Sequence, residues 1–168
     1  DRSRRQDPEF LALNPMGQVP VIDDGGVVLA DSNAILVYLA RRYDRAGRWY
    51  PVDEPAQAAR VQRWLSIAAG ELRYGPAFAR AAKVFGVAID EALTQSTSAR
   101  VLALLERSLA GAAFLVGDGP TIADVALYTY TAHAPEGGLS LAPYPNLRAW
   151  LERVEALPGF VAMLRSAA

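Results

Sequence analysis

The hydrophobic pattern of this sequence changes once along the chain, and that change limits the folds open to it. Two short runs rich in β-branched residues lie at residues 19–22 and 27–30, on either side of the turn-forming sequence DDGG. Such a pattern predicts a β-hairpin. From residue 55 onward, apolar residues recur only at helical spacing, as at Val61, Trp64 and Leu65. The sequence therefore predicts a small sheet near its start and an all-helical remainder.

The hairpin is followed by a predicted helix and then by a linker. The N-cap residue types at positions 31–33 predict a helix start, and the helix should end near Tyr43. Residues 44–55 are polar and contain one glycine and two prolines, as a linker does. We therefore predict two domains, residues 1–46 and residues 47–168. Because a two-stranded sheet is only marginally stable in water, the first is expected to be the second half of a larger unit.

Glycine and proline positions divide the second domain into four longer helices and a short last one. The Gly75-Pro76 pair should bend or end the first of them. Thr121 and Asp124 form a capping box, which should start the third helix and stabilise it by about 1 kcal/mol per cap. We assign these two residues a structural role. Residues 160–164 are apolar and predict the short last helix.

Composition and charge argue against several classes of function. Lys and Arg number 17 against 18 Asp and Glu, a net charge of −1 with a pI near 5.9, so no positive excess is available to bind nucleic acid. No apolar run approaches the roughly 18 residues that a membrane span needs. With no cysteine and a single histidine, His133, the sequence predicts neither a disulfide framework nor a metal site. The absence of a secretory leader pattern predicts a cytoplasmic location.

Five motifs in a fixed order carry a resemblance to a known family. They are FLALNPMGQVPV at residues 10–21, DSNAI at 31–35, Trp64-Leu65, GDGPTIAD at 117–124 and PGF at 158–160. Together they strongly resemble the soluble glutathione transferases, with nearest similarity to the bacterial beta class or the broader theta-like group. The resemblance implies an α/β, thioredoxin-like N-terminal domain that binds glutathione, here only partial. It also implies an all-helical C-terminal domain that supplies most of the pocket for an electrophile.

The sequence departs from the family at its start, because the opening strand–helix–strand is missing. In the family this segment carries the Tyr, Ser or Cys that handles the glutathione thiol, together with two of the four sheet strands. The catalytic residue is therefore unknown from this sequence and is expected in the missing segment. We accordingly expect the N-terminal domain to be truncated or degenerate.

The resemblance assigns five glutathione-binding residues, Gln18, Val19, Pro20, Asp31 and Ser32. The Val19-Pro20 peptide would be cis, so that the Val19 main chain pairs with the glutathione cysteine like an added strand. The residues alone favour an ordinary trans proline on an edge strand. Ser32 would receive the γ-glutamyl carboxylate and Asp31 the α-ammonium. The alternative for Asp31 and Ser32 is plain N-capping, which can hold together with glutathione binding because Ser32 uses different atoms for each. The alternative for Gln18 is a solvated turn residue.

Three further residues match pocket-lining positions of the beta-class pattern, namely Ser66, Arg73 and Tyr74. Ser66 and Arg73 are seven residues apart and would share one face of a regular helix. Arg73 would stabilise a thiolate or an anionic substrate. The alternative for Arg73 is a solvated side chain or one paired with Glu71, and Tyr74 would either line the electrophile pocket or simply pack.

The function that the resemblance implies is that of a glutathione S-transferase, which joins the glutathione thiolate to small electrophiles in detoxification. Glutathione would be a co-substrate, and no metal would be needed. A homodimer is expected by analogy. The alternatives are a non-catalytic binding or dimerisation module, and a glutathione-dependent reductase or isomerase of the same family.

Overall fold

The structure, a computed structural model, describes residues 3–166 and divides into two compact units. The first unit ends at Tyr50 and the second begins at Pro51. The elements of the first are a 3₁₀ turn (Ser3–Gln6), α1 (Pro8–Leu13), β1 (Val21–Asp24), β2 (Val27–Ala30) and α2 (Ser32–Tyr43). The predicted hairpin and the helix after it are thereby confirmed.

The hairpin owes its register to the turn that joins its strands. β1 and β2 pair antiparallel, with Val21 opposite Ala30 and Asp24 opposite Val27. The two turn residues, both glycine, have φ values of 60° and 92°. A type I′ turn requires positive φ at both positions, and glycine adopts it without steric cost. The register in turn decides which residues flank the strands at the open end of the hairpin.

The turn end of the hairpin is tied to α2 through Asp24. Its Oδ2 atom accepts hydrogen bonds from the Tyr43 hydroxyl at 2.6 Å and from the Tyr38 hydroxyl at 2.9 Å. These bonds hold the pKa of Asp24 below its ordinary value and raise the pKa of both tyrosines. Because the last turn of α2 is held here, its first turn lies at the open end of the hairpin.

Helices are the only regular elements of the second unit in the range that the structure describes. In chain order they are α3 (Pro55–Ile67), a π-helical segment (Ala68–Ala77), α4 (Phe78–Phe85), α5 (Glu91–Ser108), α6 (Ile122–Ala132), a 3₁₀ turn (Ala134–Gly137) and α7 (Pro145–Glu155). The core of the unit is built from fully buried side chains that include Leu65, Leu72, Leu105, Leu109, Leu127, Leu147 and Trp150. These residues come from the apolar stripes of the sequence, and the predicted all-helical domain is confirmed.

Pro76 does not end the first helix of this unit, contrary to one of the predicted outcomes. Proline lacks an N–H, and in an α-helix its ring collides with the carbonyl four residues earlier. Around Pro76 the chain adopts the wider π-helical turn, which relieves that collision. Gly75 allows α5 to pack closely at the same place, since a Cβ there would lie 2.9 Å from the Ser98 main-chain nitrogen. The helical run therefore continues through the Gly75-Pro76 pair.

The predicted short helix at residues 160–164 is wrong. The chain turns after α7 at Gly159, which has a φ of 79°, and residues 160–166 are irregular. Val161 and Leu164 are 88% and 89% exposed. A helix this short is unstable in water unless an apolar face packs on a core. Phe160 packs edge-on against Tyr128, with the ring centroids 5.1 Å apart, but Val161 and Leu164 do not pack on the core, so the segment has no continuous apolar face that would stabilise a helix.

The carboxylate of Asp124 is fully buried and accepts four hydrogen bonds. Oδ1 accepts from the Leu115 main-chain nitrogen at 3.0 Å and from Trp150 Nε1 at 2.9 Å. Oδ2 accepts from the Thr121 main-chain nitrogen at 2.9 Å and from the Thr121 hydroxyl at 3.1 Å. The Thr121 oxygen also accepts from the Ala123 nitrogen, and the predicted capping box between Thr121 and Asp124 is present. One side chain thus joins the start of α6, the loop before it and α7.

A second polar cluster surrounds Glu136 on the 3₁₀ turn. Its Oε2 accepts from Arg80 Nε at 3.0 Å and from the Ser166 main-chain nitrogen at 3.3 Å, while its Oε1 contacts His133 Nδ1. Arg80 also donates to the Ser166 hydroxyl at 2.9 Å. Hydrogen bonds from Ser166 and His133, together with the charge of Arg80, lower the pKa of Glu136 to about 2. The cluster fastens the chain near residue 166 to α4.

We expect the Glu136→Gln variant to be less stable than the wild type at neutral pH, and the difference to disappear in acid. A carboxyl group whose pKa falls on folding stabilises the folded state above its unfolded pKa, and this contribution is lost as the pH drops toward the folded value. For Glu136 the window runs from 4.5 down to about 2. Thermal unfolding followed by circular dichroism across this window measures the difference, with Glu152→Gln, an exposed site on α7, as control. A difference that stays constant through the window would contradict the role of Glu136.

Candidate functional site

The open end of the hairpin brings four of the five predicted glutathione-binding residues to one place. Val21 of β1 is paired with Ala30 of β2. Val19 and Pro20 directly precede one of these partners, and Asp31 and Ser32 directly follow the other. The two segments therefore leave the sheet side by side, at the end opposite the glycine turn.

The Val19-Pro20 peptide is cis, as the resemblance implies and unlike the trans alternative. The Val19 residue is 62% exposed. Its main-chain N–H and C=O form no hydrogen bond with any residue between 3 and 166. An extended peptide could therefore pair with this main chain as an added strand.

Asn14 fixes the loop that leads to the cis peptide. This buried side chain donates from Nδ2 to the Gln18 carbonyl at 2.7 Å and accepts at Oδ1 from the Met16 nitrogen at 3.1 Å. The Gln18 side chain is exposed. Sequence analysis included Asn14 only within the motif at residues 10–21 and missed its positioning role. The signal was present, because asparagine commonly hydrogen-bonds the main chain two residues further on.

Asp31 caps α2 and holds an unusual backbone conformation. Its Oδ1 accepts from the main-chain nitrogens of Asn33 and Ala34, both at 3.0 Å. Its φ of 77° is the one positive value of a non-glycine residue within the described chain. Such conformations cost about 1–3 kcal/mol each and cluster at ligand clamps. Both capping hydrogen bonds are accepted by Oδ1. The Oδ2 atom of this exposed side chain forms no hydrogen bond with the described residues.

Ser32 begins α2 and offers two donors to a ligand. It is exposed, and neither its hydroxyl nor its main-chain N–H bonds to a residue in the range 3–166. The N-cap is Asp31, so the capping alternative for Ser32 is wrong. Hydrogen-bond donors at a helix N-terminus favour the binding of a ligand carboxylate. The free carboxylate oxygen of Asp31 beside them favours the binding of a ligand ammonium group. The pair of residues can thus receive both charges of an α-amino acid group.

The three predicted pocket residues lie in the second unit, Ser66 on α3 and Arg73 and Tyr74 on the π-helical segment. Ser66 is exposed and donates to the Gln62 carbonyl at 3.1 Å. The Arg73 guanidinium lies 5.8 Å from the centre of the Tyr74 ring, and the Tyr74 residue is 51% exposed. The predicted alternative of an Arg73 pair with Glu71 does not occur among the described ion pairs.

The expected common face of Ser66 and Arg73 depended on regular α-helical spacing. That premise is wrong, because the chain from Ala68 to Ala77 is π-helical. The wider turn changes the angle between residues seven positions apart. Ser66 lines a groove with side chains of α5, and Arg73 does not line it.

No group of three or more His, Cys, Asp or Glu side chains in the described chain could hold a metal ion. None of the helices between residues 3 and 166 is both long enough and apolar enough to cross a membrane.

Comparison with known proteins places the chain in a family. Residues 1–41 match the profile of the glutathione S-transferase N-terminal domain, and residues 88–158 match that of the C-terminal domain. Mouse glutathione S-transferase theta-2 is 35% identical over 167 residues, which cover 94% of this chain and 68% of the relative. The chain belongs to the glutathione S-transferase family. Its fold is accordingly a thioredoxin-like N-terminal domain, with a two-stranded sheet in the described residues, followed by a helical C-terminal domain.

Other glutathione S-transferases support the same placement. GstB of Escherichia coli K12 is 30% identical over 166 residues, with 90% of this chain and 76% of the relative covered. Mouse theta-1 is 38% identical over 160 residues, covering 89% of this chain and 66% of the relative, so the chain spans just under two thirds of that protein. A crystal structure from Xanthobacter autotrophicus superposes with a TM-score of 0.84 at 38% identity, covering 94% of this chain and 78% of that one.

Proposed function

We propose that the protein is a glutathione S-transferase that holds glutathione at the open end of its hairpin and joins the thiolate to small electrophiles. The observation that most supports this is the β1–β2 register. It sets the unpaired Val19 main chain beside the free polar groups of Asp31 and Ser32. These groups complement a peptide that begins with a free α-amino acid.

The γ-glutamyl end of glutathione would bind at the start of α2. Its carboxylate accepts from the Ser32 hydroxyl and N–H, and the helix dipole adds about 0.3–1 kcal/mol. Its α-ammonium donates to Asp31 Oδ2. A hydrogen bond to a charged group contributes about 1.5–3 kcal/mol, so this end supplies a large part of the affinity.

The cysteine of glutathione would lie along the cis peptide. Its main chain pairs with that of Val19, preceding Pro20, and the exposed Gln18 amide contacts the neighbouring peptide group. The free thiol has a pKa of about 8.5, so only a few per cent is thiolate at pH 7. In the reaction the thiolate sulfur forms a bond to the electrophilic carbon, and the leaving group departs with the bonding electrons.

The helical unit would contribute the electrophile pocket. Ser66, Arg73 and Tyr74 are our candidates for it, with Arg73 stabilising negative charge on the substrate. No described residue is assigned to activation of the thiol. The family further suggests a cytoplasmic location and a homodimer, and sedimentation of the purified protein would test the homodimer.

A non-catalytic glutathione-binding module is the second candidate. The observation in its favour is that Gln18, Val19, Pro20, Asp31 and Ser32 supply binding groups and no group that would lower the thiol pKa. A reductase or an isomerase of the same family uses the same binding residues and differs in the second substrate.

Calorimetric titration with glutathione and with cysteinylglycine tests the proposal. The dipeptide lacks the γ-glutamyl group, so we expect it to bind at least about tenfold more weakly. Equal affinity for the two peptides, or no binding of either, would overturn the proposed site. Turnover of 1-chloro-2,4-dinitrobenzene then separates the candidates, because glutathione binding without turnover of this or other electrophiles favours the module.

A further inference from the structure

A cavity of about 400 Å³ lies within the helical unit, where α4 ends and α5 begins. Its walls come from α4, the connecting residues 86–90, the first turns of α5, and the chain around Gly137 and Leu139. The volume is near the lower end of the roughly 300–1,000 Å³ of small-molecule pockets. None of its lining residues belongs to the glutathione site proposed above.

The packing around the cavity fixes its shape. Gly86 ends α4 with a φ of 66° and turns the chain toward α5. Gly137 brings the 3₁₀ turn onto α4, since a Cβ there would lie 2.7 Å from the Arg80 main-chain nitrogen. The ion pair between Arg80 and Glu136, at 3.0 Å, joins the same two elements. These contacts hold the walls of the cavity in position relative to one another.

Part of the lining is apolar and contains small side chains. Ala79 and Ala82 of α4 leave room, and Val87, Ile89 and Leu139 complete the apolar wall. Burying an apolar side chain against such a surface releases water and lowers the free energy of the complex. A ligand of this cavity should accordingly have an apolar body.

Thr94 supplies a polar group that the protein does not use. The residue is 4% exposed and lines the cavity. Its N–H donates to the Asp90 carbonyl at 2.9 Å and its carbonyl accepts from Ser98 Oγ at 2.7 Å, but its own hydroxyl has no partner among the described residues. No fully buried polar side-chain atom of the described chain lacks a partner, so this hydroxyl keeps some access. Because Thr94 lines the cavity, we take that access to be toward the cavity.

Two charged side chains of opposite sign line the same cavity, Lys83 of α4 and Glu91 of α5. Both are exposed, and neither joins an ion pair among the described residues, where the pairs all involve Glu136. A simple anion would be attracted by Lys83 and repelled by Glu91, and a simple amine would meet the reverse. A molecule that carries both charges is attracted by both.

We propose that this cavity is a binding site for a zwitterionic amino acid with an apolar side chain. The ligand carboxylate pairs with Lys83, its ammonium pairs with Glu91, and the Thr94 hydroxyl bonds one of these polar groups. The apolar side chain lies against Ala82 and its neighbours. This inference is independent of glutathione binding.

Titration of the protein with L-leucine, followed by calorimetry and by amide shifts of Gly86 and Thr94, tests the site. We expect saturable binding of leucine. We expect 4-methylpentanoate, which lacks the ammonium, and 3-methylbutylamine, which lacks the carboxylate, to bind about tenfold more weakly or worse. Absence of saturation at millimolar leucine, or equal binding of either analogue, would overturn the proposal.

Matched variants locate the binding. Ala82→Leu fills the cavity and should abolish leucine binding, whereas Ala99→Leu, at an exposed position of α5, should leave it unchanged. Lys83→Ala should weaken it about tenfold and Thr94→Val several-fold. Circular dichroism checks that each variant is folded. Wild-type affinity in folded Ala82→Leu and Lys83→Ala would place leucine elsewhere and contradict the proposal.

Discussion

Replacing Asp124 with alanine is expected to lower the free energy of unfolding by roughly 3–5 kcal/mol. The substitution leaves four donors without their acceptor, the main-chain nitrogens of Leu115 and Thr121, the Thr121 hydroxyl and Trp150 Nε1. A buried donor left unpaired costs about 1–3 kcal/mol, and water entering the space would offset part of the sum. The expected loss exceeds the roughly 1 kcal/mol of a helix cap.

Chemical denaturation followed by circular dichroism measures this loss. Thr121→Ala removes the capping hydroxyl and should cost about 1 kcal/mol, while Asp118→Ala, at an exposed position of the same loop, should cost little. Asp124→Asn keeps the shape and one acceptor oxygen, so its loss should lie between those of Thr121→Ala and Asp124→Ala. If Asp124→Ala lowered the free energy of unfolding no more than Thr121→Ala does, the Asp124 side chain would contribute only a helix cap.

The hydrogen bonds of Asp124 show which contacts of the fold can be predicted from local sequence and which cannot. The spacing of Thr121 and Asp124 was enough to predict a capping box, because both partners lie within one helical turn. The bond from Trp150 comes from 26 residues away, and no local pattern reports it. Sequence therefore predicted the helix start correctly and underestimated how much of the unit depends on it.

The structure differs from two of the expectations about helix ends, and the two differences have a common physical origin. Pro76 was expected to bend or end a helix because an α-helix has no room for its ring, but a π-helical turn does. Residues 160–164 were expected to be helical because they are apolar, but Val161 and Leu164 remain almost fully exposed and pack on no core surface. In both cases tertiary packing decides between local conformations that differ little in energy, and a single sequence does not report packing.

The candidate site was predictable to the extent that it depends on the hairpin turn. The DDGG sequence indicates the turn, the turn fixes the register, and the register sets residues 19–20 beside residues 31–32. The cis state of the Val19-Pro20 peptide came from the family resemblance, since the residues alone favoured trans. The positive φ of Asp31 could not be predicted from the sequence, because positive φ is uncommon for every residue type except glycine.

Asp31→Asn is expected to weaken glutathione binding about tenfold to a hundredfold with little change in stability. Asparagine keeps an oxygen that can accept from the Asn33 and Ala34 nitrogens, and it is as good an N-cap as aspartate. It also tolerates positive φ better than most residues. What it removes is the negative charge that, in the proposed site, pairs with the glutathione α-ammonium.

Two further variants separate that charge from the cap. Asp31→Ala loses both and should bind as weakly as Asp31→Asn while also losing about 1 kcal/mol of stability. Ser32→Ala removes one donor to the ligand carboxylate and leaves the Asp31 cap intact, so it should weaken binding without changing the melting temperature. Calorimetric titration gives the affinities, and thermal unfolding gives the stabilities. If Asp31→Asn bound glutathione with wild-type affinity, Asp31 would act only as the N-cap of α2, and the γ-glutamyl group would have to bind elsewhere.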